Sequence, residues 1–243
     1  MVILIITLIL FTGIGIEIIK RVRYKQTEYF AITHNSYGKT MSDDGLRGEY
    51  FVYDELKDFP GNTKFLFNVY IPKTLDQEVS SEIDVIFLHN SGIYVIESKN
   101  YSGWIFGNEN QNTWTATYDR GNKVHFYNPI KQNDSHIFYL KLFLGIDKNI
   151  PYHSIIAFSD RCTLKNITLT SKKHKIINRY NIYKTIKQRK FSQELSDDDI
   201  EIIYEKLFPL TQKSDEYKEK HIENIKNIRK SFSKKFISSY RKG

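Results

Sequence analysis

Two apolar segments in the middle of the chain, Ile83–His89 and Ile93–Asn100, are separated by a short turn that contains glycine. Segments of this length that are rich in Ile, Val, Phe and Tyr predict the two strands of a β-hairpin. Both segments are apolar on each face. The hairpin is therefore expected to lie inside a sheet that is covered on both sides.

The hairpin would bring three ionisable side chains together. If positions 91 and 92 form a two-residue turn, Asp84 lies opposite Lys99 and Ile86 lies opposite Glu97. Side chains alternate between the faces of a strand, so Asp84, Glu97 and Lys99 are predicted to share one face. The opposite face is predicted to carry Ile83, Val85, Phe87, Tyr94 and Ile96.

The rest of the chain mixes helical and strand patterns. Leu46, Tyr50, Tyr53 and Leu56 recur near a helical period, and Pro129 suits the first turn of a second helix. This order predicts an α+β fold, a mixed β-sheet flanked by helices. The remaining predicted elements are strands at 64–71, 104–106, 114–118, 123–127, 152–159, 165–170 and 175–182, and helices at 130–144 and 200–208.

The N-terminal segment Met1–Ile19 is apolar apart from Glu17 and is followed at once by a cluster of Lys and Arg residues. A helix of this length spans ~28 Å, about the thickness of a bilayer core. The pattern predicts a transmembrane helix, with the bulk of the chain on the cytoplasmic side of the cell membrane. A cleaved signal peptide would require basic residues before the apolar run and a small-residue cleavage site after it, and neither is present.

The charge balance favours an acidic partner. The formal net charge is +8 and the pI is about 9.2, which suits nucleic acid or anionic lipid, although a lysine-rich solvated surface explains it equally well. Cys162 is the single cysteine, which excludes a disulfide framework and a cysteine-rich zinc site. Positions 211–243 predict a basic amphipathic helix that packs on the core, touches lipid or binds nucleic acid.

Two carboxylates and a lysine at one end of a hairpin are costly to bury unless they are paired or bound to metal. Two neighbouring carboxylates with open positions suit a hard cation such as Mg²⁺, and Lys99 could position a water molecule. The alternative from these residues alone is a salt-bridged cluster at the margin of the sheet, because the pattern is short and common.

Four motifs in the same order resemble the nuclease-related domain (NERD) family. The resemblance covers about positions 43–159 and implies the fold of the PD-(D/E)xK nuclease-like superfamily. One departure from that pattern is that Ile83, and not proline, precedes Asp84, and this removes no metal ligand. The motifs are GLRGE at 45–49, EID at 82–84, GIYVIESKNYSG at 92–103 and NPIKQ at 128–132.

The resemblance implies specific roles. It makes Asp84 and Glu97 ligands of a divalent metal, Mg²⁺ or Mn²⁺, with help from the carbonyl of Ser98. It also implies that Lys99 orients the attacking water. The remaining implied site residues are Glu49, as an additional acid, and Gln132. Without the resemblance, these last two would be an exposed helix acid and a helix-surface amide.

Three further side chains have open interpretations. His136 follows Gln132 by one helical turn, so it could reach the same site. Trp104 and Trp114 could stack nucleic-acid bases, but packing in the core explains them as well.

These observations divide the chain into a transmembrane anchor (1–19), a juxtamembrane linker (20–42), a nuclease-related domain (43–160), an α/β extension (161–210) and a basic helical tail (211–243). The predicted function is a membrane-anchored, metal-dependent nuclease that hydrolyses phosphodiester bonds of DNA or RNA. The alternative is a non-catalytic nucleic-acid-binding or scaffold module that retains the nuclease fold at the membrane. The sequence makes no prediction about the oligomeric state.

Overall fold

The computed structural model describes residues 2–73, 79–145, 150–189 and 195–214, together with positions 216, 217, 220, 221 and 223. Side chains are described from position 11 onward, apart from that of position 120. The predicted basic tail at 211–243 lies mostly outside these residues.

The described residues form the predicted α+β fold. The helices are α1 (Val2–Lys25), α2 (Glu28–Thr33), α3 (Tyr37–Ser42), α4 (Asp44–Leu56), α5 (Pro129–Leu144), α6 (Ile182–Lys187) and α7 (Asp197–Leu207). The strands are β1 (Thr63–Pro72), β2 (Ser80–His89), β3 (Gly92–Lys99), β4 (Gly103–Asn108), β5 (Thr113–Thr117), β6 (Lys123–Tyr127), β7 (Tyr152–Phe158), β8 (Cys162–Thr168) and β9 (His174–Asn178).

The predicted hairpin, β2 and β3, lies at the centre of a five-stranded mixed sheet with the order β1-β2-β3-β7-β9. The first three strands are antiparallel, whereas β3, β7 and β9 are parallel. Parallel neighbours of this kind need crossover connections and are covered on both faces. The apolar character of both hairpin faces follows from this central position.

Separate apolar cores cover the two faces of this sheet. On one face, Tyr53 and Leu56 of α4 and Ile182 of α6 pack against Phe87 and Tyr94. On the other, Leu140 of α5 and Ile203 of α7 pack against Ile86 and Val95. The hairpin is therefore held between two helical layers.

A second, four-stranded sheet has the order β6-β5-β4-β8, with β4 and β8 parallel. Its inner face carries Ile105, Trp114 and Ala116, which pack against Ile130 of α5 and Phe158 of β7. This third core attaches the second sheet to α5 and to β7 of the first sheet.

The predicted register of the hairpin is wrong by two residues. Ile86 lies opposite Val95, and His89 lies opposite Gly92, so the turn residues are at positions 90 and 91. Asn90 and Ser91 replace the expected turn because Gly92, with φ of 128°, is the first residue of β3. A shift of two residues does not by itself move a side chain to the other face of its strand.

The predicted face of Ile83 is also wrong. Ile83 packs in the same core as Ile86, whereas Val85 lies in the opposite core. The cause is an interruption in the neighbouring strand, where Asn68 has φ of 52° between the paired residues Phe67 and Val69. A left-handed residue breaks the alternation of faces, and asparagine tolerates this conformation better than most residues.

The predicted transmembrane anchor is wrong. Across the described residues, no helix combines the length and the apolar character that a bilayer crossing needs. The apolar segment does not end as a separate helix at Ile19, because α1 continues to Lys25 and includes the basic cluster. Glu17 and Arg21 pair on this helix at 3.2 Å. The predicted single-pass location in the cell membrane is wrong for the same reason.

The segment predicted as a juxtamembrane linker contains two short helices, α2 and α3. Thr27 and Ser36 cap them, each accepting a hydrogen bond from a backbone N–H in the first turn. The hydroxyl of Tyr24 at the end of α1 donates to the backbone carbonyl of Asn35 at 2.9 Å, and it lies 2.6 Å from the hydroxyl of Thr40. Local caps and the hydrogen bonds of buried Tyr24 thus order a segment that has no apolar periodicity.

Candidate active site

The candidate site lies where the two hairpin strands separate. The ladder between β2 and β3 ends at the pair Val85 and Ile96. Beyond it, the backbone N–H of Ser98 donates to the side chain of Asp84, Oδ2, at 2.8 Å. A carboxylate thus takes the place of a backbone acceptor. β3 continues alone with β7 as far as Lys99, which leaves the end of the hairpin open to side chains from the flanking helices.

Glu97 is the buried centre of the site, with 1% of its side chain exposed. Its Oε1 is 2.5 Å from Nζ of Lys99, and its Oε2 is 3.1 Å from Nε2 of His136. Burial alone would raise the pKa of Glu97, but Lys99 and His136 hold that pKa below its usual value. Glu97 is therefore an ionised carboxylate at neutral pH.

Lys99 links the strand to helix α5. Its Nζ also donates to Oε1 of Gln132 at 3.2 Å. Burial would lower the pKa of Lys99, but the carboxylates of Glu97 and Asp84 raise it above the usual value. The lysine therefore stays charged and acts as a cation beside the two acids, not as a general base.

The start of α5 is fixed by the motif that contains Asn128 and Pro129. The Asn128 side chain accepts from the backbone N–H of Ile130 at 2.9 Å, and its amide group donates to three carbonyls in the loop at 108–111. Proline at the first helical position suits this capped end. This arrangement turns Gln132 and His136, one helical turn apart, toward β3.

His136 is held from two sides. Its Nδ1 lies 2.7 Å from the hydroxyl of Ser81, and its Nε2 contacts Glu97. In the neutral ring, Nε2–H donates to the carboxylate and Nδ1 accepts from the serine, so the two partners select one tautomer. His136 therefore orients Glu97 from the helix side.

Glu49 reaches the site from the opposite helical layer. Helix α4 approaches β3 closely because Gly48 has no side chain: an added Cβ would lie 2.5 Å from Oγ of Ser98. Oε2 of Glu49 accepts from Nδ2 of Asn68 at 2.7 Å, and the hydroxyl of Tyr29 lies 3.5 Å from it. Burial, followed by the neighbouring charge of Asp84, raises the pKa of Glu49 well above its usual value.

The charge of Asp84 interacts with that of Glu97 and with that of Glu49. Burial and the Glu97 carboxylate raise the pKa of Asp84 well above its usual value, although Lys99 and the N–H of Ser98 oppose this effect. Asp84 and Glu97 therefore share one lysine, and the third acid, Glu49, interacts with Asp84. Such a cluster favours an additional proton or cation.

The oxygen donors of the site can be compared with those that a divalent metal ion requires. Among the described side chains, no group of three or more His, Cys, Asp and Glu residues is arranged to hold a metal ion. Asp84 and Glu97 supply two carboxylates. Mg²⁺ is commonly bound through one or two carboxylates, with the remaining positions taken by water and substrate phosphates. The two carboxylates therefore supply the type of oxygen donor that fits such an ion.

We expect that Glu49→Gln raises the free energy of unfolding, measured in EDTA at pH 8, by about 1 kcal/mol or more. The substitution removes the cost of keeping a buried carboxylate whose charge is incompletely compensated. A carboxyl whose pKa is higher in the folded state binds protons more readily when folded. Stability is then lost as the pH rises from the unfolded pKa through the folded pKa. Urea titrations between pH 4 and pH 8 measure this effect, and the gain should vanish at the acid end.

The matched control is Glu201→Gln, which replaces a carboxylate on α7 whose side chain is 47% exposed. It should change stability little at any pH. A pH-independent effect of Glu49→Gln, or a loss of stability at pH 8, would contradict the prediction.

The structure brings Asp84, Glu97, Lys99 and Gln132 together, with Glu49 beside Asp84. His136, which sequence analysis left open, contacts Glu97 directly. Sequence analysis missed Asn68 and its hydrogen bond to Glu49. The left-handed conformation of one asparagine has no signature in the sequence, whereas the spacing between Gln132 and His136 was a usable signal for the histidine.

Comparisons with known proteins show a family match and one relative. The family model for the nuclease-related domain matches residues 44–159. An uncharacterized protein of Bacillus anthracis is 30% identical over 148 residues, which cover 61% of this chain and 68% of that protein. No solved structure matches the chain.

Proposed function

Because the chain belongs to the nuclease-related domain (NERD) family, we propose that it hydrolyses phosphodiester bonds of DNA or RNA in a reaction that requires Mg²⁺ or Mn²⁺. One observation carries the proposal. Asp84, Glu97 and Lys99 meet where β2 and β3 separate, and their acids are not fully neutralised by the lysine.

Each residue has a proposed role. Asp84 and Glu97 would hold the divalent ion, which would lower the pKa of a bound water and offset negative charge on the phosphate. His136 fixes the orientation of Glu97, and Gln132 accepts a hydrogen bond from Lys99. Lys99 keeps its proton, so its contribution is to position water or phosphate oxygens and to stabilise charge that develops during the reaction.

Glu49 and the surface charge complete the proposal. Glu49 is a buried acid with a raised pKa next to Asp84, so it can hold a proton near the reacting groups. The net charge of +8 favours association with a polyanion. Phosphate backbones are the common target of such surfaces.

The test is incubation of the purified full chain with supercoiled plasmid, single-stranded DNA and RNA, each with Mg²⁺, Mn²⁺ or EDTA. We expect metal-dependent loss of at least one substrate on a gel. This function is wrong if every substrate stays intact under all three conditions.

A second candidate is a nucleic-acid-binding module without catalysis. It is favoured by the contacts of Glu97, since Lys99 and His136 each occupy one of its carboxylate oxygens. Salt-dependent binding of the same substrates, with no cleavage under any metal condition, would select this candidate.

A further inference from the structure

The second sheet has a face that lies outside the three cores formed by the described residues. Directly paired residues on neighbouring strands point to the same side of a sheet. Trp104 of β4 pairs with Thr163 of β8 and Thr117 of β5, and Thr117 pairs with Lys123 of β6. The next row contains Phe106, Thr115 and His125. With Lys165 of β8, these side chains are here named the outer face.

The two tryptophans of the chain have opposite environments. Trp114 is 1% exposed and packs on the inner face beside Phe158, whereas Trp104 is 52% exposed on the outer face. Phe106 follows Trp104 by two residues, so both rings line the same side of one strand. The exposed ring of Trp104, with half-buried Phe106 beside it, is available for stacking.

The charge of the outer face is suited to phosphate. Nζ of Lys165 lies over the ring of Trp104, 5.2 Å from its centroid. An exposed contact of this kind is worth only about 0.5–1 kcal/mol, so the ammonium can turn to a phosphate when a base stacks on the ring. Lys123 is also exposed there, and the outer face as defined contains no aspartate or glutamate.

We propose that the outer face binds single-stranded nucleic acid, with a base stacked on Trp104 and its phosphates bound by Lys165 and Lys123. An aromatic ring on an open sheet can stack only on a base that is free of its own partner, which excludes an intact duplex. Threonine hydroxyls beside the rings supply hydrogen-bond donors and acceptors for base edges.

The outer face lies close in sequence to the candidate site. Trp104 follows Lys99 by five residues, so their Cα atoms are at most about 19 Å apart. A strand of about 4 to 16 nucleotides, the usual footprint on a stacking surface, covers that distance. This inference rests on the proposed function in one respect: the strand held here would be the strand that is cut.

The test is fluorescence anisotropy of the full chain with labelled oligonucleotides of about 20 nucleotides, long enough for one footprint. Single-stranded dT, single-stranded rU and a DNA duplex are compared in EDTA, and a gel confirms that the probes stay intact. Trp104→Ala should weaken single-strand binding about tenfold, the loss of one stacked base. Trp104→Phe keeps a ring and should bind nearly as the wild type does, which separates stacking from folding.

Two further variants sharpen the result. Lys165→Ala should reduce the slope of log K against log salt by about one. Phe138→Ala is the matched control, because this ring of α5 is 57% exposed and lies outside the second sheet; it should bind as the wild type does. Intrinsic fluorescence should be quenched by single strands in the wild type but not in Trp104→Phe, where buried Trp114 is the remaining tryptophan.

Unchanged binding by Trp104→Ala, or a duplex that binds as tightly as the single strands with the same dependence on Trp104, would overturn the inference. The outcome is separable from that of the proposed function. If the protein binds single strands through Trp104 but cleaves none, the outer-face inference holds and the nuclease proposal fails. If Trp104→Ala cleaves with the wild-type KM, the nuclease proposal holds and the outer-face inference fails.

Discussion

Asp84→Asn is expected to lower the rate of phosphodiester cleavage by about 10³-fold, while the folded protein is kept. Asparagine retains an oxygen acceptor for the backbone N–H of Ser98, which Asp84 binds at 2.8 Å. It removes the negative charge that a divalent ion needs. Loss of one electrostatic contact to the reacting centre commonly costs 10²–10³-fold, and loss of a metal ligand should reach at least the upper part of that range.

The same substitution should not reduce stability. Burial and the Glu97 carboxylate raise the pKa of Asp84, so its ionised form is already unfavourable in the fold. Cleavage assays, together with urea unfolding in EDTA, measure both effects. Retained activity with Mg²⁺ would exclude Asp84 as a required ligand.

Glu97→Ala is the instructive comparison. It should also abolish cleavage, but it leaves Lys99 buried without its main partner, and breaking a buried pair costs about 3–5 kcal/mol. Inactivity of that variant alone would not separate chemistry from unfolding. Asp134→Asn provides the control for charge removal, since this α5 residue pairs with Lys173 and not with the site.

The central part of the fold could be predicted because its signals are local. Apolar segments of strand length identified β1, β2, β3 and β7, and the asparagine and proline that begin α5 were readable as a helix start. The hairpin register could not be read, because the choice between two adjacent two-residue turns depends on Gly92 and its left-handed backbone. An error of two residues does not change the face of Glu97 or Lys99, and the hydrogen bond from Ser98 keeps Asp84 beside them.

The sequence motifs predict the identity of the main site residues but not the tertiary contacts that support them. Strand alternation accounts for Glu97 and Lys99 on one face, but it is interrupted at Asp84, whose neighbours Ile83 and Val85 lie in opposite cores. Glu49 and Gln132 came from the family resemblance. The contact between His136 and Glu97 depends on the packing of α5 against β3. The support of Glu49 by Asn68 depends on an interrupted strand, a tertiary feature without a periodic signal.

The N-terminal segment shows the limit of hydropathy. Apolar length and a flanking basic cluster predict an anchor, but the described helix runs through the charged residues as one element. Composition alone does not show where a helix ends.

Lys99→Met is expected to lower kcat by about 10²–10³-fold with little change in KM, because the lost charge acts mainly on the transition state. Methionine keeps most of the apolar stem of the side chain. In the structure, Nζ of Lys99 donates hydrogen bonds to Oε1 of Glu97 and to Oε1 of Gln132. Its loss removes a cation from the site but no metal ligand.

Metal binding distinguishes this variant from the acid variants. Without Lys99, one oxygen of Glu97 is released and the site is more negative, so its affinity for Mn²⁺ should be retained or increased. Asp84→Asn should show the opposite change in a Mn²⁺ titration. Full activity of Lys99→Met would make the lysine only a counterion for Glu97. Loss of Mn²⁺ affinity in that variant would show that the lysine holds the two carboxylates in place, and the assignment of Lys99 to the chemical step would then fail.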